Sequence, residues 1–353
     1  MEQTRSSLSA PRLSITLAGS ILGAGYLSGQ ELWQFFGAYG IRGLLGLGLT
    51  LVMIASLSAM VMHLARRTGL LEMDRLIVPW ECPPLRRAAA GLELFFLIGI
   101  AIIMYAGGGA LVQQLLGIPM WLGCLLMCTV VAAVALGGMN GMVNFFSLLV
   151  PPAVVVTVLF GIAALVRFGF PAIPASSGTN PLLGGWLLSS FTYTGYNFFT
   201  IIGVLAAAGI AGRTHRAVTI GSVGGASILA AIAVSILLAL FACPGAAEAE
   251  LPMLAVAEAI SPILSWPYAL ILLLGMFGSA LFSVVTVITY FEAKYPRLQP
   301  RRGGVLAVLA LFCFPASLAG FGDLISVLYP ICGYCSFLFI LFLLWHARTV
   351  FRR

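Results

Sequence analysis

Ten stretches of the chain run for about twenty residues with scarcely a charge, at roughly 13–36, 41–65, 89–116, 120–138, 142–166, 184–208, 217–242, 264–290, 303–320 and 324–347. About 20 apolar residues are what a helix needs to cross the hydrocarbon of a bilayer. The runs are continuous and lack the alternation of a membrane barrel. Backbone groups in lipid must be satisfied within their own segment, so such runs mean helices. Charged residues make up 8% of the 353 and apolar residues 61%, whereas an average soluble domain carries about 25% charged residues. A surface so poor in charge faces lipid. Disordered, fibrous, disulfide-secreted and nucleic-acid-binding classes fail on the same numbers. The first stretch outruns a signal peptide and is polar at its centre, so it is expected to be a span and not a cleaved leader. The fold class expected is an all-α membrane protein of ten transmembrane helices in one domain over 1–353.

The basic residues give an orientation. With the N-terminus in the cytoplasm and one crossing per stretch, 16 of the 18 Lys and Arg residues fall inside: Arg5, Arg12, five arginines between 66 and 87, Arg213, Arg216, the cluster Lys294–Arg302, and Arg348 to Arg353. Only Arg42 and Arg167 stay outside. The bias sets both termini in the cytoplasm. It also accounts for the net charge of +7 through anionic headgroups, with no nucleic-acid partner. The outer loop Glu248–Glu258 places Leu251, Leu254 and Ala255 at helical spacing beside acids, which reads as a short amphipathic helix, either an interfacial loop or a lid.

Chemistry-bearing residues are sparse. Five of seven cysteines, including Cys332 and Cys335 in a C-x-x-C, sit inside apolar helices, where cysteine is a small apolar filler. His63, His215 and His346 fall near helix ends, so no histidine relay lies at mid-membrane. Zinc-helix, serine-elbow and phosphate-loop motifs are missing. Enzyme and primary-pump readings lose their supports, and no cofactor is implied.

Two spans are interrupted by glycine and polar residues. The first reads Gly19-Ser-Ile-Leu22-Gly23-Ala24-Gly25-Tyr26-Leu-Ser-Gly29-Gln-Glu31. Each glycine weakens a helix by about 1 kcal/mol relative to alanine. The sixth reads Ser189-Ser-Phe-Thr-Tyr193-Thr-Gly195-Tyr196-Asn197-Phe-Phe-Thr200. Glycine-mediated close packing is the alternative for each span alone. Together they open two five-helix halves, about 12–167 and 183–348, and an odd number of spans inverts the second half relative to the first. Interrupted helices at matching positions of an inverted repeat predict a secondary transporter with a midplane site. Breaking a helix frees amides that hold anions and carbonyls that hold cations.

The run Gly25-Tyr-Leu-Ser-Gly-Gln-Glu-Leu-Trp-Gln-Phe-Phe-Gly-Ala-Tyr-Gly40 resembles the signature of the YkvI-like family of bacterial membrane proteins, grouped with amino-acid permeases. More distantly the chain is similar to the LeuT-fold, amino-acid–polyamine–organocation group, whose G-x-x-x-G-x-G pattern is matched by Gly19, Gly23 and Gly25. The resemblance implies a LeuT-type 5+5 inverted repeat with discontinuous helices 1 and 6 in a bacterial inner membrane. It implies that amides near Gly23, Ala24 and Gly25 receive a substrate carboxylate. It also implies that carbonyls of Gly19 and Leu22 face a sodium ion shared with the eighth span, at Gly275 and Ser279. Gly278 stands where a second hydroxyl is expected, and Tyr26 stands where sodium-coupled members carry an asparagine, so a second ion is not carried over. The resemblance further nominates Tyr105 of the third span, with a core tyrosine as the alternative.

Glu31, an intramembrane carboxylate, is the strongest single candidate, either to meet a substrate cation or to carry a coupling proton. Glu93 reads as an ion pair with Arg86 and Arg87, Asp323 as the N-cap of the last helix, and Glu292 as a solvated neighbour of Lys294. The expected function is alternating-access transport of an amino acid or related amine coupled to Na+ or H+. Gly23 and Gly25 would expose backbone, while Tyr193, Gly195, Tyr196 and Asn197 face them. The partners implied are that small-molecule substrate and the lipid bilayer, with no obligate protein partner. A ligand receptor of the same fold is the second reading.

Overall fold

The computed structural model describes residues 8–137, 142–176 and 180–352, apart from the side chains of Ala24, residues 142–147 and Ala293. Arg5, Arg353 and the junction 138–141 between the fourth and fifth apolar stretches lie outside the described residues. The first stretch is covered by α1 (Ala10–Ile21), α2 (Ala24–Ser28) and α3 (Gln30–Phe35), and the second by α4 (Gly40–Thr68). Then follow α5 (Met73–Ile77), α6 (Pro83–Leu116), α7 (Met120–Ala135), α8 (Met142–Phe168), α9 (Trp186–Ala211), α10 (His215–Ala242), α11 (Pro252–Ile260), α12 (Pro262–Lys294), α13 (Arg302–Ser317) and α14 (Phe321–Phe351). Among the described residues, seven helical segments are long and apolar enough to cross a membrane, and α7 is a shorter apolar helix.

The helices pack in two groups. In one, α1 lies along α10, α4 along α9, and α10 against α4. In the other, α6 and α7 pack with α12 and α13. Helix α8 bridges α10 and α12, and α14 bridges α9 and α6. Lipid tails are as apolar as leucine, so helices associate through close van der Waals packing and interhelical hydrogen bonds. Helix α11 is the amphipathic element expected in the outer loop. It is drawn inward, with Met253, Leu254, Val256 and Ala257 fully buried and the Met253 side chain set against Gly29.

The sixth stretch corrects an expectation. Helix α9 is continuous from Trp186 to Ala211, where the sequence suggests a break. Its polar side chains stay within their own helix: Thr194 Oγ1 donates to Ser190 O at 2.8 Å, Asn197 Nδ2 to Tyr193 O at 3.2 Å and Thr200 Oγ1 to Asn197 O at 2.8 Å. Such back-bonding satisfies hydroxyls and amides inside an unbroken helix. Gly195 serves helix crossing: a Cβ there would stand 2.5 Å from Ser336 Oγ and 3.0 Å from Gly333 O of α14. Pro330 of α14 cannot donate to the Ser326 carbonyl one turn back. Asn180 Nδ2 takes up that carbonyl at 2.8 Å.

Three charged residues also differ from expectation. Glu93 forms no salt bridge among the described residues, and Arg86 donates instead to Val78 O at 3.2 Å. Gly320 is the N-cap of α14 and Asp323 lies in its first turn. Glu292 pairs with Arg302 at 3.0 Å, while Lys294 sits over the Tyr290 ring at 5.5 Å. Arg302 also donates from Nε and Nη2 to Ala135 O, at 3.2 and 3.0 Å, so one guanidinium ties the end of α7 to α12 and α13. Hydrogen bonds to charged groups contribute about 1.5–3 kcal/mol each when buried. Because Arg302 is 22% exposed, Arg302→Ala is expected to cost about 1–2 kcal/mol, read as a lower thermal midpoint in detergent. An unchanged midpoint refutes that role.

Candidate functional site

The first helix is broken where its glycines predict. Helix α1 ends as Leu22 N–H bonds Ala18 O at 2.8 Å. Leu22 then leaves the helical region at φ −68°, ψ 77°, and Gly23 is extended at φ −88°, ψ 173°. Gly23 N–H turns to Ile21 O at 2.7 Å, which releases the Gly19 carbonyl from the donor a continuous helix would give it. The chain rewinds from Ala24, and a second discontinuity follows at Gly29, whose φ of +81° suits glycine. Gly29 separates α2 from α3 and swings Glu31 back over Gly25.

Glu31 is the centre of the site. It is only 4% exposed, and no basic side chain among the described residues forms an ion pair with it. Tyr196 donates its hydroxyl to Glu31 Oε1. Oε2 lies across Gly25, 2.6 Å from where a Cβ would stand, and Tyr329 Oη is 3.6 Å from the same point. Tyr193 Oη is buried and also lies near the carboxylate but makes no hydrogen bond of good geometry among the described residues. The rings close round this group. Tyr196 stacks on Tyr329 with centroids 4.5 Å apart, Tyr193 meets Tyr196 edge-on at 5.3 Å, and Phe35 lies 5.2 Å from Tyr193. A cavity of about 10 Å³, room for about one water, lies beside the stacked pair, lined by Tyr196, Thr200, Tyr329, Cys332, Phe96 and Ile103 among others. A charged carboxylate held this far from solvent demands a counter-charge or a proton.

Other sequence candidates separate. Tyr26 is buried and donates to Leu229 O at 2.7 Å, which pins α2 to α10. Tyr268 Oη does the same from α12, donating to Leu27 O at 2.7 Å. Ser279 stands beside the break, its Oγ 3.8 Å from the Cβ position of Gly23. Gly275 is buried on the same helix one turn earlier. Gly19 packs on Val150 of α8, where a Cβ would stand 3.1 Å from the valine Cγ2. Asn197 is buried and neighbours Glu31, although its amide hydrogen bond goes to Tyr193 O. Gly195 faces α14 and Tyr105 faces Cys128 and Cys313, so neither joins Glu31. The Ala24 backbone opens α2, and its side chain is outside the described set.

Sequence reasoning missed Tyr329 and, although it offered the outer loop as a lid, the bonds that tie that loop to α3 and α14. Gln34 Nε2 donates to Gly322 O at 3.0 Å, and Glu250 accepts from Gly322 N–H at 2.7 Å. These bonds join α3, the loop before α11 and the start of α14. A tyrosine beside Pro330 in mid-helix was the available signal for Tyr329.

No family model matches the chain. It is homologous to the uncharacterized membrane protein YkvI of Bacillus subtilis strain 168, at 26% identity over 343 residues covering 96% of each chain. It is also homologous to the uncharacterized protein YyaD of the same organism, at 28% identity over 329 residues covering 90% of this chain and 91% of that one. Among solved structures it resembles MhsT in complex with L-phenylalanine, with a TM-score of 0.63 at 17% identity over 95% of this chain and 91% of that one. It resembles inward-facing Mhp1 with a TM-score of 0.62 at 12% identity, covering 95% and 76% of the two chains. A Na+-coupled sialic acid symporter gives 0.62 at 15% identity over 96% and 79%. These structural neighbours are LeuT-fold transporters and not enzymes. At such identities the likeness establishes the fold.

Proposed function

We propose that this homologue of YkvI and YyaD is a secondary active transporter that moves a small polar solute, an amino acid or related amine, by alternating access in a bacterial inner membrane. In this reading one transmembrane domain of ten spans is an inverted repeat of halves 12–167 and 183–348, with both termini in the cytoplasm. Only the first of the paired helices is broken in the conformation described. The observation that carries the reading is the buried carboxylate of Glu31, with no ion pair among the described residues, laid over Gly25 just past that break. An intramembrane carboxylate without a counter-charge is costly, and such groups mark solute or ion pathways.

Gly23, Gly25 and Tyr26 form one wall, and Tyr193, Tyr196 and Asn197 of α9 the other. The same geometry supports coupling to Na+ or H+. The released Gly19 carbonyl, that of Leu22, and Ser279 near Gly275 form the candidate sodium position, and Glu31 the candidate proton position. The neighbours include a Na+-coupled symporter, which supports ion coupling. Transport requires the contact at Gln34, Glu250 and Gly322 to open to one side while the cavity beside Tyr196 and Tyr329 opens to the other.

The test is uptake of labelled amino acids and amines into proteoliposomes under imposed Na+ or pH gradients. Gradient-dependent accumulation above the equilibrium level is expected. Saturable binding with no accumulation under either gradient refutes transport and leaves a receptor.

A further inference from the structure

We infer that the Glu31 site selects an organic ammonium that carries no carboxylate of its own; the inference rests on the transporter reading and narrows its substrate class. The position over Gly25, in the first turn of the segment that rewinds after the break, is filled by the protein's own carboxylate, with Oε2 2.6 Å from the Cβ position and Tyr329 Oη 3.6 Å from it. A ligand carboxylate brought there would meet Glu31 at short range in a medium of low dielectric, where like charges repel strongly. Among the described residues no Lys, Arg or His pairs with Glu31 that could balance a second anion. What the site lacks is one positive charge.

The surrounding groups suit an ammonium. Tyr196 donates to Oε1, which leaves Oε2 to accept from a ligand N–H. Tyr193 Oη is buried near the same carboxylate, makes no hydrogen bond of good geometry among the described residues, and offers an oxygen that accepts from a second N–H. The rings of Tyr193, Tyr196, Tyr329 and Phe35 enclose the group, with neighbouring centroids 4.5–5.8 Å apart. Aromatic faces attract desolvated cations. One carboxylate, phenol oxygens and ring faces recognise an amine by charge and by its apolar stem. The small cavity beside Tyr196 and Tyr329 is lined by apolar Phe96, Ile100, Ile103 and Leu328, which fits such a stem once the stacked rings part.

The experiment compares amines with the amino acids that differ from them only by the carboxylate: 2-phenylethylamine with L-phenylalanine, 3-methylbutylamine with L-leucine, and ethanolamine with L-serine. Binding to the purified full chain is read by thermal shift in detergent, in potassium and again in sodium buffer, since stabilisation tracks occupancy. At least one amine is expected to bind tenfold or more tightly than its amino acid in both buffers, and Glu31→Gln is expected to weaken that amine at least tenfold. An amino acid binding as tightly as its amine, no binding by any amine, or amine binding unchanged in Glu31→Gln each overturns the inference. Should the variant fail to fold, the matched pairs on the unmodified chain decide alone. Amine binding without gradient-driven uptake refutes transport and leaves this inference standing. Amino-acid accumulation without amine binding does the reverse.

Discussion

Gly25→Ala is expected to cut proteoliposome uptake by about 100-fold while lowering stability by at most about 1.5–3 kcal/mol. The new methyl would stand 2.6 Å from Glu31 Oε2, closer than any real contact, and 3.6 Å from Tyr329 Oη. The clash is with the far end of a flexible side chain, so Glu31 moves and the helices do not. The displaced carboxylate gives up its bond from Tyr196, and a hydrogen bond to a charged group contributes about 1.5–3 kcal/mol. Misplacing a positioned group by about 1 Å costs on the order of 100-fold in rate in enzyme sites, and the same sensitivity to position applies here. Gly23→Ala is the internal control. Its nearest neighbour is Ser279 Oγ at 3.8 Å, an ordinary contact, and φ −88°, ψ 173° is backbone any residue adopts. That variant is expected to keep uptake within about tenfold, well short of the positional penalty. If the two alanines reduce uptake equally, the carboxylate over Gly25 is not the working part of the break.

Lipid makes much of this architecture legible in advance. A helix in hydrocarbon must be apolar along its whole length, so runs such as 217–242 announce α10 with nearly the right ends. The first break was legible for a local reason: Gly19, Gly23, Gly25 and Gly29 leave the segment little to lose by unwinding. Glu31 stood out because a carboxylate in an apolar run has no bland place to go.

The rest depends on which face meets which helix. Thr194 and Asn197 read as an interruption of α9, yet they bond to carbonyls one turn back and leave it whole. Gly195 is small because α14 crosses there, and only tertiary packing decides that. Tyr105 and Tyr329 look alike in the chain, each an aromatic in an apolar helix. The rotation of α6 points the first at Cys128 and Cys313, while α14 points the second at Gly25. In the chain Glu292 reads as a solvated neighbour of Lys294, although residues two apart on a helix do not face each other. Its partner Arg302 comes from the next helix.

Packing against backbone, not side chain, produces the largest stability effect. Gly209→Ala is expected to lower stability by about 1–3 kcal/mol, the usual range for overpacking a well-filled contact. A Cβ at Gly209 would stand 2.4 Å from Met62 O, 2.6 Å from Met62 Cα and 2.8 Å from Met62 C, all backbone of α4. No rotamer change relieves such a clash, so α4 and α9 must separate along an extended contact that association in lipid depends on. Gly203 of the same helix tests the reasoning. Nothing lies within 4 Å of its Cβ position, so Gly203→Ala is expected to stabilise α9 by up to about 1 kcal/mol through helix propensity alone. Thermal unfolding of both variants in detergent should therefore give midpoints on opposite sides of the parent. Equal midpoints would mean that the α4–α9 contact is loose enough to absorb a methyl. In that case the wall carrying Tyr193 and Tyr196 would not be held firmly enough against α3 to position Glu31.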